Sequence, residues 1–170
     1  MNSLFVYAGV TVSKDDHFSL VLLEVTQIIK QNLNDTDKLK AICKLLKDKV
    51  TYYNWVGFYA VNSQKQTELV LTSFEGEPTD HIRIPFSKGI CGQAAELKKT
   101  FVIQDVSRET NYLSCNSKVK SEIVIPVFRG NILMGELDID SHCESPFSVE
   151  DESFLTKIAD MVGELLKYPN

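Results

Sequence analysis

Apolar residues first fall into a pattern between Asp15 and Leu33. There Phe18, Val21, Leu22, Val25, Ile28, Ile29 and Leu33 recur at helical spacing on one face. Asn34-Asp-Thr-Asp37 breaks and caps, and a second helix is predicted to about Val50 with Leu39, Ile42, Cys43, Leu46 and Val50 on its apolar side. From Tyr52 the texture changes. Asn54-Trp-Val-Gly-Phe-Tyr-Ala-Val61 and Glu68-Leu-Val-Leu-Thr-Ser-Phe74 are rich in β-branched and aromatic residues, and Asn62 to Lys65 joins them as a hairpin loop. A short segment, His81 to Ile84, precedes a helix opening near Gly89, and Phe101-Val-Ile103 reads as a brief strand. Ser107 to Lys120 is polar and loop-like. Ser121 to Phe128 and Ile132 to Asp140 are predicted strands joined by Arg129-Gly-Asn131. A last helix begins at Ser148-Val-Glu-Asp151, which has capping-box spacing, and continues along Phe154, Leu155, Ile158, Met161, Val162, Leu165 and Leu166.

Strands bracketed by helices predict an α/β fold of the α+β type: a central antiparallel sheet with helices on one face. The long middle segment is then available to cover the other face and enclose a small-molecule pocket. A chain of 170 residues with 44% hydrophobic content fits one domain with a real core. The formal net charge of −5 argues against a nucleic-acid backbone as the main partner. Apolar stretches are short and interrupted by charge, so no membrane span is expected, and the N-terminus lacks the basic region of a signal peptide. Four cysteines without dense spacing fit a cytoplasmic protein with reduced thiols better than a disulfide scaffold.

The chemistry concentrates in two places. Cys91 and Cys115 lie in polar, loop-like stretches, where a thiolate is easier to sustain than on an apolar face. Cys91 follows a helix start and Lys88, which makes it the candidate low-pKa thiol on electrostatic grounds; a small residue packed under the helix is the alternative. Cys115 is either a reactive loop thiol or an idle one. Cys43 reads as core and Cys143 as exposed. No cysteine or histidine pair has zinc-like spacing, so no metal is expected; His142 with Cys143, or His81 with Cys91 and Cys115, are the only sets worth naming. The second place is Gly135-Glu-Leu-Asp-Ile-Asp140. Leu137 and Ile139 face one side of a strand, and Glu136, Asp138 and Asp140 the other. Alternation alone favours a solvated outer face; the other reading is a site that holds an ammonium group, joined by Glu122 from the neighbouring strand. Trp55 and Tyr59 share a strand face and either belong to the core or wall such a pocket.

Taken together, these segments resemble the GAF-domain free methionine-R-sulfoxide reductases. The matching pieces are Asn54-Trp-Val-Gly-Phe-Tyr59, Arg83-Ile-Pro85 with Gly89-Ile-Cys-Gly92, Asp105-Val106, Cys115, Ser121-Glu-Ile-Val-Ile-Pro126, Leu137-Asp-Ile-Asp-Ser141 and Phe147-Ser-Val-Glu-Asp-Glu152. The resemblance implies a single GAF domain over residues 1–170, with its core at about 15–166. It also implies reduction of the R epimer of free methionine sulfoxide. Trp55 and Tyr59 would wall the side-chain end of the pocket, and Glu122, Asp138 and Asp140 would bind the amino group and the sulfoxide oxygen. Cys115 would attack and Cys91 would resolve the sulfenic acid as a disulfide. No cofactor is implied beyond an external dithiol such as thioredoxin, and a homodimer is expected.

Two positions depart from the family pattern. His81 stands where members often carry a third cysteine, and Glu136 stands where an apolar residue is expected. Glu136 either adds charge to the site or points to solvent at the sheet edge. The rival functions are a GAF small-molecule-binding module and a thiol redox sensor without turnover.

Overall fold

A computed structural model describes residues 5–7, 10–113 and 116–168. A small hairpin comes first, from β1 (Phe5–Tyr7) and β2 (Val10–Val12), followed by α1 (Lys14–Lys30) and α2 (Asp35–Lys49). Next are β3 (Trp55–Val61), β4 (Glu68–Glu75), β5 (Arg83–Pro85) and α3 (Gly89–Leu97). The chain then forms β6 (Phe101–Ile103), β7 (Ser121–Arg129), β8 (Ile132–Ser141) and α4 (Val149–Val162). Strands β3 to β8 make a six-stranded antiparallel sheet in the order β5-β4-β3-β8-β7-β6.

The expected architecture holds, with two differences. The β1–β2 hairpin is not among the elements predicted from sequence; three-residue strands carry too little alternation to register. The first helix ends at Lys30 rather than Leu33, because Gln31 turns to extended backbone and Asn34 must cap the next helix. The first two helices start on side-chain caps. The Ser13 hydroxyl accepts from the Asp16 N–H at 3.1 Å and the Asn34 side chain from the Asp37 N–H at 2.8 Å.

The sheet divides two cores. Helices α1, α2 and α4 lie on one face, over Val56, Phe58 and Ala60 of β3, Ile123, Ile125 and Val127 of β7, and Leu137 and Ile139 of β8. The opposite face is covered by α3 and the segments around it, which pack Ile90, Cys91, Ala94 and Ala95 against Trp55, Tyr59, Leu69 and Val124. Both faces being sealed explains why every residue of β3 is buried.

One buried carboxylate ties the helical layer to the sheet. Asp151 is fully buried and closes the capping box of α4, accepting the Ser148 N–H at 2.7 Å. It also accepts the hydroxyls of Tyr52 at 2.7 Å and Tyr53 at 2.8 Å, and it pairs with Lys14 at the start of α1. Removing a fully hydrogen-bonded buried acid strands its partners. Asp151→Ala is therefore expected to cost roughly 3–5 kcal/mol in urea unfolding. Tyr53→Phe, which deletes one bond to a charged acceptor, should cost about 1.5–3 kcal/mol.

Candidate active site

Strand β8 sits in the middle of the sheet, so its alternation delivers three acids to the covered α3 face. Glu136 is 0% exposed, and Asp138 and Asp140 are each 1% exposed. The solvated outer face that alternation favoured is therefore overturned, as is the reading of Glu136 as a solvent-facing edge residue: α3 and the middle segment cover the strand. Glu122 of β7 lies directly across from Asp140 and is buried with them. On the other flank, Trp55, Gly57 and Tyr59 of β3 pair with Asp140, Asp138 and Glu136 respectively.

Burial is the first cause of every perturbed acid here. It holds the carboxyls of Glu122, Glu136 and Asp140 well above the usual range, and the mutual repulsion of the cluster adds to it. Asp138 is pushed up to about 7 by the same burial. Both oxygens of Glu136 and Asp140, and Oδ1 of Asp138, have no hydrogen-bond partner. Such a face needs either protons or a cationic ligand.

Cys91 occupies the first turn of α3, with its thiol turned onto this face and donating to Glu122 Oε1 at 3.6 Å. Burial pushes the Cys91 thiol up, and the charges of Asp138, Glu136 and Glu122 push it further. This corrects the electrostatic reading from sequence. Proximity to the helix start and Lys88 does not make Cys91 the low-pKa thiol, because its sulfur faces the acids and is shielded from water. Gly89, which opens the helix at φ 64, requires glycine's freedom, and its N–H donates to Asn111 Oδ1 at 3.2 Å. Asn111 gave no sequence signal as a cap, because it lies 22 residues away along the chain.

Trp55 and Tyr59 share the face that carries the acids, as their spacing predicts, and each also holds a loop. The Trp55 indole lies flat over Gly57, where an added Cβ would come within 2.2 Å of the ring. It stacks on Phe74 at 5.7 Å and stands 6.3 Å from the Tyr59 ring. Its Nε1–H donates to the Glu77 carbonyl at 3.1 Å, and the Tyr59 hydroxyl donates to the His81 carbonyl at 2.9 Å. Both residues thus pin the 76–82 loop. Phe74 was missed, although its place opposite Gly57 in the hairpin register marks it. Further along, Arg83 of β5 is held to Glu68 of β4 at 2.9 Å, which gives the Arg-Ile-Pro segment a structural purpose.

Cys115 lies outside the described residues. The nearest described residues on either side are Leu113 and Asn116. Leu113 packs on Gly89 and, with Cys91, Glu122 and His81, lines a void of about 10 Å³, room for one water. Asn116 binds the Glu77 carboxylate, which also takes Lys118 at 2.6 Å. Asn116 lines a cavity of about 550 Å³ that reaches Trp55, Asp140, Glu77 and His142. Cys43 is fully buried, donating to the Ser73 carbonyl at 3.8 Å, and Cys143 is exposed, both as read from sequence. Of the sets named from sequence, the one with His81, Cys91 and Cys115 includes a residue outside those described; among the described residues Cys91, Glu122 and Asp138 bring one donor atom each within 4.8 Å of the others. Among the described residues, no helix is long and apolar enough to cross a membrane.

The folded state keeps protons on these acids at pH values where the unfolded chain has lost them. Their stabilising contribution is therefore full below the unfolded carboxyl range, near about pH 4, and is lost as pH rises through the folded values. For Asp138 that loss runs from about pH 4 up to its folded value of about 7. The ligand-free protein should show a higher urea midpoint at about pH 5 than at about pH 8. Asp138→Asn should make that slope shallower, with Glu122, Glu136 and Asp140 still contributing; an unchanged slope would mean that Asp138 carries no share of it.

Comparison with known proteins agrees with this geometry. The GAF domain family model matches residues 36–166. "GAF domain-containing protein A" of Dictyostelium discoideum is 33% identical over 150 residues, covering 88% of this chain and 92% of that protein. The free methionine-R-sulfoxide reductase of Escherichia coli is 34% identical, covering 72% of each chain. The structure of free methionine-R-sulfoxide reductase from Neisseria meningitidis in complex with its substrate superposes with a TM-score of 0.84 at 30% identity, covering 98% of this chain and 96% of that one. With its curled antiparallel sheet, its acid row and a thiol facing those acids, this chain belongs to the free methionine-R-sulfoxide reductases, enzymes built on a GAF domain.

Proposed function

We propose that this protein reduces free L-methionine-R-sulfoxide to methionine. The observation that carries the reading is the sealed row of Glu122, Asp138 and Asp140, flanked by Trp55 and Tyr59 and faced by Cys91. An amino acid's ammonium group is the small cation such a face accommodates, and its thioether end suits the aromatic wall. A buried carboxyl held above its usual range can also keep a proton to donate.

In the proposed cycle, the Cys115 thiolate attacks the sulfoxide sulfur. Glu122, Asp138 and Asp140 bind the amino group, and a protonated carboxyl of this row gives a proton to the sulfoxide oxygen. Methionine leaves and Cys115 becomes a sulfenic acid. The Cys91 thiol then displaces the hydroxyl as water, forming a Cys91–Cys115 disulfide. An external dithiol of the thioredoxin class restores both thiols; no other cofactor is needed. One sulfoxide and one dithiol thus give methionine, water and one disulfide. The raised thiol of Cys91 supports its place as the second thiol: it stays protonated at rest and does not compete for substrate. Leu113, which lines a void with Cys91 and Glu122, and Asn116, which lines a cavity with Trp55 and Asp140, support a Cys115 near the Glu122–Asp140 end of the acid row. Assembly as a homodimer and work in the reducing cytoplasm belong to the same proposal.

The deciding assay separates the epimers of free and peptide-bound methionine sulfoxide under dithiothreitol or thioredoxin. Only the free R epimer should be consumed. Cys115→Ser should drop turnover to background. Cys91→Ser should release methionine once per chain and stop. Asp138→Asn should lower kcat/KM by roughly 10²–10⁴-fold, and Cys43→Ala should leave it nearly intact. Absence of any turnover with the free R epimer would sink the reading in favour of a thiol sensor.

A further inference from the structure

We infer that Cys91, Glu122 and Asp138 form a binding site for a thiophilic divalent cation of the zinc class, which competes with an ammonium ligand for the same face. Their donor atoms lie within 4.8 Å of one another, and all three residues are buried. The Cys91 Sγ to Glu122 Oε1 separation is 3.6 Å. A tetrahedral zinc ion, with bonds of about 2.3 Å to sulfur and about 2.0 Å to oxygen, sets a sulfur–oxygen edge of about 3.5 Å. The pair is therefore already at ligand spacing.

A second observation points the same way. Asp140, directly across from Glu122, is 1% exposed with both carboxylate oxygens unpartnered, and Asp138 Oδ1 is likewise unpartnered. Thus the cluster offers more acceptor atoms than the protein satisfies, and a water molecule can complete a four-coordinate shell. Mixed sulfur and carboxylate donors select zinc or cobalt over magnesium or calcium, which take oxygen alone. On binding, Cys91 and any protonated carboxyl among the ligands give their protons to solvent, and the sulfur becomes a metal thiolate; no electron moves. A thiolate bound in this way cannot close a disulfide, so the ion blocks a cycle that uses Cys91. The site follows from donor geometry and does not depend on the reductase reading.

Cobalt(II) titration of the fully reduced protein, without substrate, tests it. The expected result is one ion per chain with a near-ultraviolet thiolate-to-cobalt charge-transfer band, displaced by zinc. Cys91→Ser should abolish the band, whereas Cys115→Ser and Cys143→Ser should keep it. Glu122→Gln and Asp138→Asn should each weaken binding by more than about tenfold, with circular dichroism confirming the fold. The inference is overturned by a wild-type protein with no band, by a band that survives Cys91→Ser, or by one that is lost in Cys115→Ser or Cys143→Ser. Because no turnover is read, these outcomes leave the reductase reading to its own assay.

Discussion

A carboxylate in the middle of a covered sheet has nowhere to hide. Leu137 and Ile139 must reach the helical core, and the two-residue period of a strand then sends Glu136, Asp138 and Asp140 to the other face. On an edge strand those acids would lean into water. On β8, hydrogen-bonded on both sides, they cannot. An isolated buried ion costs on the order of several kcal/mol even after the protein relaxes. The second face must therefore hold protons or bind a cation, and α3, the aromatic wall and the middle segment are arranged around that constraint.

The division between the thiols follows from it. A helix start would ordinarily favour a thiolate, but the dipole's partial charge acts over the first turn only and competes with three acids, Asp138, Glu136 and Glu122. Cys91 is held as a thiol by the same burial that raises the acids. Such a group is a poor first nucleophile and a suitable second one, since a sulfenic acid is electrophilic and neighbouring carboxylates can take the proton.

Much of this was legible in the chain. Helical spacing in Phe18 to Ile29 and alternation in Leu137 to Ile139 report burial directly, and the elements they predict are present. The capping box at Ser148 and Asp151 was legible for the same reason: it is local. What escaped was non-local. Alternation shows that three acids share a face but not that α3 covers it, so the solvated reading looked better than it was. The hydrogen bonds from Trp55 and Tyr59 to the carbonyls of Glu77 and His81 span 22 residues each, and backbone acceptors leave no mark in a sequence. Asn111 reaching Gly89 is of the same kind.

The sign of the charge on this face also separates the possible uses of the scaffold. A sensor for a cyclic nucleotide must neutralise a phosphate, which calls for N–H groups of a helix start or for basic side chains directed into the pocket. Here the start of α3 brings Cys91 onto a row of acids, and Asn111 already accepts from the Gly89 N–H. A phosphate placed against Glu122, Asp138 and Asp140 would meet repulsion in a low-dielectric setting, where Coulomb terms are least screened. An amino acid presents the opposite charge at its ammonium end. The acid row thus argues against anionic ligands before any contact is counted, and it leaves small cations, organic or metallic, as the species this face can hold.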